Sequence, residues 1–282
     1  MLSYMNNINI KMSRGTVMEL YKNRIVVKVG TSTLTNENGK SDLRSFDRLA
    51  CVLSDIQNKG YEVILVSSGA IAVGKNKLNM AESPKSMRMK QAAAAVGQCS
   101  IMYWYDKFFG DYDKTIAQIL LNADDIEHEE KKENLTNTFN ALLEMGVIPI
   151  VNENDSVSYT EIESHDRLFG DNDILSGVVA VLCRAKALVI LSDIDGLFDS
   201  DPRLHPGAKL IERIERIDDS LYSLAGGAGS RRGTGGMKTK IQAASLATAN
   251  GSDVIITNGK NPDSLYDIIS GKPVGTLFKG EK

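Results

Sequence analysis

The chain has 282 residues, of which 42% are hydrophobic and 24% charged, as in an ordinary soluble globular protein. Its formal net charge is −3, so no chain-wide basic field attracts it to nucleic acid or anionic lipid. No apolar run approaches the roughly 18–20 residues that span a bilayer. We therefore expect neither a nucleic acid nor a membrane as a partner.

The cysteines and histidines favour neither disulfides nor a protein-held metal ion. The cysteines are widely spaced within apolar runs, which is typical of reduced, buried thiols. The histidines lack the spacing of metal ligands. These residues are Cys51, Cys99, Cys183, His128, His165 and His205.

Residues 1–23 lack the continuous apolar core of a signal peptide. Their basic residues outnumber the single acid, Glu19, which leaves a transit peptide open, although the segment is not rich in arginine. We interpret 1–23 as a poorly ordered extension of a cytoplasmic protein.

The first predicted strand is Arg24–Val29, a β-branched run that is interrupted by Lys28. A lysine within a central strand either faces a ligand or extends to solvent at an edge, and the pattern leaves both open. Helical periodicity follows over Asp42–Lys59, with Gly60 at the expected C-terminal cap. Tyr61–Val66 is a second strand, and the small residues Ser67–Ala70 after it suit either a ligand pocket or a helix N-cap.

Further strands and helices alternate along the rest of the chain. The predicted strands are Thr115–Leu121, Val147–Val151, Ala187–Leu191, Asp253–Thr257 and Thr276–Phe278. The predicted helices begin at Ser83-Pro84, near Leu135, at Ile174, at Ile241 and at Pro262. Asp124–Glu133 is an acidic, exposed segment, and Lys209–Ile217 is ambiguous.

This alternation predicts an α/β fold, a three-layer sandwich with a mainly parallel central sheet. We expect one continuous domain over 24–282, with two lobes that meet at a cleft. In such a sheet the ligand crevice lies outside the carboxyl ends of the strands. Lys28, Ser67–Gly69, Asn152–Asp155 and Ser192-Asp193 all end or follow predicted strands, so we expect the fold to gather them into one site.

Gly226–Lys240 is the most unusual stretch, with six glycines in fifteen residues before a predicted helix. Glycine lets backbone amides approach a ligand, and a helix N-terminus adds partial positive charge. Lys238 and Lys240 oppose the helix dipole there, which favours a bound anion such as the phosphates of a nucleotide. A flexible surface loop is the alternative, since neither the Walker nor the G-x-G-x-x-G pattern is matched.

No Ser-His-Asp or Cys-His arrangement is evident, so hydrolysis by a side-chain nucleophile is poorly supported. Phosphoryl transfer fits better because it depends on positioning and positive charge. A carboxylate acceptor, with an unperturbed pKa of about 4, would already be ionised and need no general base.

Eight ordered segments resemble the amino acid kinase family, and in particular its glutamate-phosphorylating members. They are VVKVGTS (26–32), VSSGAIAVG (66–74), PIVNENDSV (149–157), FGDND (169–173), LSDIDGLF (191–198), DPR (201–203), GTGGMKTK (233–240) and VGTLF (274–278). The resemblance covers 24–278 and implies that ATP, carrying Mg²⁺, phosphorylates the side-chain carboxylate of L-glutamate, the first step of proline biosynthesis. It also implies an amino-acid-binding N-terminal lobe, a nucleotide-binding C-terminal lobe, a homo-oligomer (dimer or tetramer) and inhibition by proline. Many bacterial members carry a C-terminal PUA domain; we expect a short form without one here.

The resemblance also implies roles for single residues. Lys28 and Lys240 match the lysines that stabilise the transferring phosphoryl group, and Asp173 matches the carboxylate that orients them. The glutamate positions are Ser68, Gly69, Asp155 and Asn172. The nucleotide positions are Lys28, Ser192, Asp193, Thr234, Gly235, Gly236, Met237, Lys238, Thr239 and Lys240.

Three rival functions are kept beside this one. A kinase of the same fold could phosphorylate N-acetylglutamate, aspartate, carbamate or a nucleoside monophosphate, but the NEND and FGDND segments argue against these. A non-catalytic amino-acid sensor should lack a phosphoryl-site lysine, but Lys28 and Lys240 are both present. A nicotinamide dehydrogenase should carry G-x-G-x-x-G, which this sequence does not match.

The polar run Ser156–Arg167 is predicted to be a lid over the glutamate pocket.

Overall fold

The computed structural model describes residues 21–36, 39–157, 171–224 and 236–281. Within these ranges eight strands form one sheet in the order β3-β4-β2-β1-β5-β7-β8-β6. The strands are β1 Tyr21–Val29, β2 Glu62–Ser67, β3 Ile116–Leu121, β4 Ile148–Glu153, β5 Ala185–Ser192, β6 Arg213–Ile214, β7 Asp253–Asn258 and β8 Thr276–Phe278. Pairing is parallel from β3 to β7, and β8 runs antiparallel to β7.

Ten helices lie between the strands of the described ranges. They are α1 Thr31–Leu34, α2 Leu43–Asn58, α3 Ala70–Lys77, α4 Met87–Asp111, α5 Asp124–Glu127, α6 Glu129–Glu144, α7 Asn172–Leu182, α8 Asp219–Leu224, α9 Met237–Thr248 and α10 Ser264–Ile269. No helix in the described part of the chain combines the length and apolarity needed to cross a membrane.

The helices form two layers, one on each face of the sheet. Side chains alternate between the faces of a strand. On β1, Val26 packs into a core with α6, α7 and α9, whereas Ile25 and Val27 pack into a second core with α2, α4 and α10. The predicted three-layer α/β sandwich is confirmed.

Local signals determine where α2 begins and ends. Asp42 caps its first turn, where the carboxylate accepts hydrogen bonds from the N–H groups of Arg44 (3.1 Å) and Ser45 (3.3 Å). Gly60 follows the helix with φ of +88°, a conformation that favours glycine. The predicted helix at Asp42–Lys59 therefore differs from the observed one by a single residue at each end.

The domain begins earlier than the predicted boundary at residue 24. Strand β1 starts at Tyr21, whose N–H donates to the carbonyl oxygen of Arg184 at 3.1 Å. The guanidinium of Arg24 lies 4.0 Å from the centre of the Tyr21 ring. Residues 21–23 are thus part of the sheet, and the rest of the predicted extension, 1–20, lies outside the described residues.

Four other segments differ from their predictions or complete them. Helix α3 was not predicted, because its eight residues are mostly small and carry little periodic pattern. Helix α4 begins at Met87 rather than at Ser83-Pro84, since the hydroxyl of Ser86 caps it. The acidic segment Asp124–Glu133 forms α5 and the start of α6, and Lys209–Ile217 contains the edge strand β6.

Two glycines allow α3 and α4 to pack backbone against backbone. A Cβ at Gly74 would lie 1.7 Å from the carbonyl oxygen of Ala93, and a Cβ at Gly97 would lie 1.8 Å from that of Ala70. Any side chain at either glycine would force the helices apart. This contact fixes the start of α3, and with it the turn at Ser68 and Gly69.

Candidate active site

A buried carboxylate lies between two lysine ammonium groups at the carboxyl end of the central strand β1. Lys28 is on the same face of β1 as Val26, and this face packs against α7 and α9. One oxygen of Asp173, Oδ1, is 2.6 Å from Lys28 Nζ, and the other, Oδ2, is 2.9 Å from Lys240 Nζ. Asp173 is fully buried, and each lysine is only 6% exposed. The lysine in the central strand therefore faces the interior rather than extending to solvent.

The first turns of two helices supply this arrangement. Helix α7 begins at Asn172 and α9 at Met237, two and four residues earlier than predicted. Asp173 and Lys240 consequently belong to first turns and not to the loops before them. A lysine in a first turn opposes the helix dipole, and here the Asp173 carboxylate offsets its charge.

Asp171 and Thr239 join the two first turns. The Asp171 carboxylate caps α7 by accepting the N–H of Asp173 at 2.9 Å. The Thr239 hydroxyl lies 3.0 Å from Asp173 Oδ2 and 3.3 Å from Asp171 Oδ2. Because both helices start at this point, their unpaired N–H groups and their positive dipole ends lie at the same edge of the sheet.

The charges of this cluster depend on one another. Burial disfavours the ionised form of Asp173 and by itself would raise its pKa. The positive charges of Lys28 and Lys240 have the larger effect, and they lower the pKa of this carboxyl to about 2. Burial likewise opposes charge on Lys28, yet Asp173 and Asp171 raise its pKa above the ordinary value. For Asp171 itself, burial and the charge of Asp173 raise the pKa. Asp173 is thus a carboxylate, and Lys28 an ammonium, at neutral pH.

Asn172 links the ends of two neighbouring strands. Its amide nitrogen is 2.8 Å from Ser68 Oγ, 3.1 Å from the carbonyl oxygen of Ser67 and 3.0 Å from Asn152 Oδ1. Gly69, which follows Ser68 in the chain, has φ of +99° and is the N-cap residue of α3. The structure therefore brings together three of the predicted glutamate residues: Ser68, Gly69 and Asn172.

Asp155 lies at the same sheet edge, in the turn that follows β4. The pairing of Val66 with Val151 places the end of β4 beside the end of β2. The N–H of Asn154 donates to the carbonyl oxygen of Leu121 at 2.9 Å and holds the turn against β3. The predicted lid continues from here, but its residues beyond Val157 lie outside the described residues.

The predicted nucleotide residues lie on the other side of Lys28. Ser192 is buried and Asp193 exposed at the end of β5, which pairs directly with β1. The N–H of Gly259 donates to the carbonyl oxygen of Ser192 at 2.7 Å, which joins the ends of β5 and β7.

The glycine-rich segment is described only at its end. Gly236 caps α9, and Met237 is partly buried against the core. Lys238 is exposed, in contrast to Lys240 two residues later. Thr234 and Gly235 lie outside the described residues.

Four further residues support the site. The sequence indicated no role for Asp171, Gln98 and Tyr105, and it placed Asn152 only among the residues at the strand ends. Asn152 Nδ2 donates to Gln98 Oε1 at 2.9 Å, and the Tyr105 hydroxyl lies 2.9 Å from Ser67 Oγ. Asn152 and Asp171 belong to the motif segments NEND and FGDND, and an Asp before a helical pattern is a cap signal. Gln98 and Tyr105 carry no such signal, since only the packing of α4 brings them to the strand ends.

This arrangement suits the transfer of a phosphoryl group. Two buried ammonium groups and two helix N-termini concentrate positive potential, which stabilises charge on phosphate oxygens. The carboxylate between the lysines orients both ammonium groups. The adjoining amide and hydroxyl groups of Asn172 and Ser68 are suited to a small polar substrate.

Comparison with known proteins agrees with this chemistry. The model of the amino acid kinase family matches residues 23–258. Glutamate 5-kinase from Clostridium perfringens is 54% identical over 259 residues, which are 92% of this chain and 96% of the relative. Glutamate 5-kinases from Listeria innocua and Enterococcus faecalis are each 50% identical, over 92% and 90% of this chain and 94% of each relative.

Solved structures share the fold at low sequence identity. Carbamate kinase from Giardia lamblia bound to AMP-PNP gives a TM-score of 0.66 at 17% identity and covers 92% of this chain and 99% of that one. UMP kinase from Bacillus anthracis gives a TM-score of 0.61 at 13% identity and covers 92% of this chain and 97% of that one.

Proposed function

Because this chain belongs to the amino acid kinase family, we propose that it transfers the γ-phosphoryl group of ATP to the side-chain carboxylate of L-glutamate. The products are ADP and L-glutamyl 5-phosphate, and the reaction is the first step of proline biosynthesis. The observation that carries the proposal is the Lys28–Asp173–Lys240 cluster, which lies beside the Asn172–Ser68 contact. Identity of 50–54% to glutamate 5-kinases over nine-tenths of the chain supports the choice of acceptor.

The chemistry requires no general base. The glutamate side chain, with a pKa of about 4.3, is ionised at neutral pH, so one of its oxygens can attack phosphorus directly. As the new O–P bond forms, the bond to ADP breaks and ADP leaves with that electron pair. Lys28 and Lys240 offset the charge on the moving phosphoryl group, and Asp173 keeps both ammonium groups in position.

Mg²⁺ fits this site as an ion carried by ATP. The carboxylate of Asp173 is occupied by two lysines, and that of Asp171 accepts the N–H that caps α7. When bound, Mg²⁺ neutralises part of the phosphate charge.

Glutamate recognition is assigned to the ends of β2 and β4. Asp155 has the charge that suits the substrate's α-ammonium group, and Ser68, Gly69 and Asn172 offer hydrogen-bonding groups beside it. Ser192, Asp193 and the first turn of α9 are assigned to the nucleotide. The phosphoryl group would cross between these two groups of residues, beside Lys28 and Lys240.

The proposal extends to regulation and assembly. Proline carries the carboxylate and ammonium of glutamate without the side-chain carboxylate, so we expect it to compete with glutamate at Asp155 without being phosphorylated. We also propose a cytoplasmic homo-oligomer, a dimer or a tetramer. The exposed ring of Tyr103, which packs against Trp104 on the surface of α4, is consistent with a subunit contact.

The test is an acceptor panel with MgATP, in which hydroxylamine traps any acyl phosphate. L-Glutamate should give the highest kcat/KM. D-Glutamate, N-acetylglutamate, L-aspartate and carbamate should be much poorer, since small positional errors cost about 10²-fold. A higher kcat/KM with any other acceptor would reject the proposal. Lys28→Ala, purified in parallel, shows that the activity belongs to this protein and not to a contaminant.

A further inference from the structure

The hydroxyl group of Thr239 lies among three acceptors. It is 2.9 Å from the carbonyl oxygen of Gly236, 3.0 Å from Asp173 Oδ2 and 3.3 Å from Asp171 Oδ2. A hydroxyl carries one proton and can donate it to only one of them at a time. Donation to Gly236 would merely close the first turn of α9, whereas donation to Asp173 would join α9 to α7.

Asp173 Oδ2 requires a donor at each stage of the proposed reaction. This fully buried oxygen has two donors among the described residues, Lys240 Nζ at 2.9 Å and the Thr239 hydroxyl. If Lys240 directs its ammonium group to a phosphate, the contact with Oδ2 weakens. A buried carboxylate oxygen without a donor is costly, so a second donor that stays in place has most effect at that moment.

We propose that Thr239 is a positioning residue for phosphoryl transfer, whose hydroxyl holds Asp173 while Lys240 engages the transferring group. Asp173 in turn keeps Lys28 in place through its other oxygen. The proposed role belongs to the Thr239 hydroxyl, which acts through the Asp173 carboxylate; it is separate from the assignment of this turn of α9 to the nucleotide. The inference rests on the proposed function, because it requires a phosphoryl group at Lys240.

The decisive comparison is Thr239→Val against Thr239→Ser. Valine keeps the shape of threonine and removes the hydroxyl, whereas serine keeps the hydroxyl and removes the methyl group. Hydrogen bonds to charged groups are worth enough that Thr239→Val should lower kcat by about tenfold or more. Because the bond matters most in the transition state, KM for ATP and for glutamate should change by less than about twofold. Thr239→Ser should restore most of kcat.

Thr248 on the same helix provides the matched control. It is buried, and its hydroxyl donates within the helix to the carbonyl oxygen of Ser245 at 3.4 Å, far from the cluster along α9. Thr248→Val makes the same chemical change. If removal of any buried helical hydroxyl lowered kcat, the Thr248→Val protein would show that loss as well. We expect its kcat to equal that of the unsubstituted protein.

Several outcomes would overturn the inference: unchanged kcat in Thr239→Val, a loss in Thr239→Ser as large as that in Thr239→Val, or an effect confined to KM for ATP. With glutamate turnover intact, these outcomes reject the role of Thr239 alone. If another acceptor proves to be the substrate, the proposed function fails, and the comparison is made with that acceptor. A protein that phosphorylates no acceptor would reject both.

Discussion

The Oδ2 atom of Asp173 lies 2.9 Å from the ammonium nitrogen of Lys240, although 67 positions separate the two residues in the chain. Lys28, on the central strand, is 2.6 Å from the other oxygen of the same carboxylate. One buried anion therefore organises two buried cations that come from opposite ends of the sequence. The two lysines are structurally coupled, which governs how substitutions at them should behave.

Lys240→Ala and Lys28→Ala should each lower kcat by about 10²-fold or more, as expected for groups that meet charge in the transition state. The double substitution should cost less than the sum of the two effects, because Asp173 links them. Each single change also leaves the buried carboxylate partly unpaired, which should reduce the free energy of unfolding by about 3 kcal/mol or more. Steady-state kinetics and urea unfolding measure the two effects separately.

Lys186→Ala is the matched control for both lysines. Lys186 is exposed near the amino end of β5, at the opposite edge of the sheet from the site. The Lys186→Ala protein should retain the full kcat and the full free energy of unfolding. A rise in KM for ATP with kcat unchanged in Lys240→Ala would instead make that lysine a ground-state phosphate binder.

The Asp173 carboxylate should contribute to stability in a pH-dependent way. Its pKa is lowered from 3.8 to about 2 in the folded protein. A carboxyl whose folded pKa is depressed stabilises the fold above its unfolded pKa, and this stabilisation is lost as pH falls through the folded value. The drop corresponds to about 2 kcal/mol, lost between about pH 4 and pH 2.

Urea unfolding from pH 6 to pH 2 tests this contribution. Asp173→Asn should show a flatter pH dependence below pH 4 than the unsubstituted protein. Asp106→Asn, which changes an exposed carboxylate on α4, should keep the original slope. Identical slopes in all three proteins would contradict the ion-pair assignment.

Gly97→Ala should disturb the proposed glutamate site without contacting it. The added Cβ would lie 1.8 Å from the carbonyl oxygen of Ala70, so α3 must move together with the turn at Ser68 and Gly69. We expect overpacking to lower the free energy of unfolding by about 1–3 kcal/mol. Relative to the unsubstituted protein, KM for glutamate should rise by a larger factor than KM for ATP.

Gly110→Ala on the same helix is the control, since no atom lies within 4 Å of its added Cβ. This substitution should raise stability by about 0.5–1 kcal/mol, because alanine is the better helix former. If Gly97→Ala and Gly110→Ala had equal effects, the close contact of α3 with α4 would not position the site.

Asp155→Ala should act on glutamate rather than on ATP. Loss of a charge pair that is partly removed from water costs about 2–5 kcal/mol, so KM for glutamate should rise well over tenfold. Inhibition by proline should weaken in parallel if both ligands use this carboxylate. Asp111→Ala, at an exposed position on α4, should change neither KM. Reduced ATP affinity with normal glutamate saturation would show that the assignment is wrong.

The local pattern of the chain predicted most of the fold. Apolar runs such as Val63–Val66 and Val147–Val151 predicted buried strands, and the cap signals at Asp42 and Gly60 bounded α2 to within one residue. Helix α3 was missed because it packs against α4 through the backbone at Gly74, and such packing leaves no periodic signal along the sequence. Helices α7 and α9 begin earlier than their apolar patterns suggest, since their first turns contain the polar residues of the site.

The sequence by itself determined the chemical groups of the site and their segments: Lys28 in a strand, the acid and amide of FGDND, and the glycines before Lys240. It also determined the family, because ordered motifs are a property of the chain. Only the tertiary structure decided that Asp173 lies between Lys28 and Lys240, that Thr239 contacts it, and that Asn172 connects to Ser68. Such contacts depend on the parallel strand order and on two helix N-termini that meet at one sheet edge. Contacts between residues far apart in the chain are fixed by packing, which no local pattern of residues encodes.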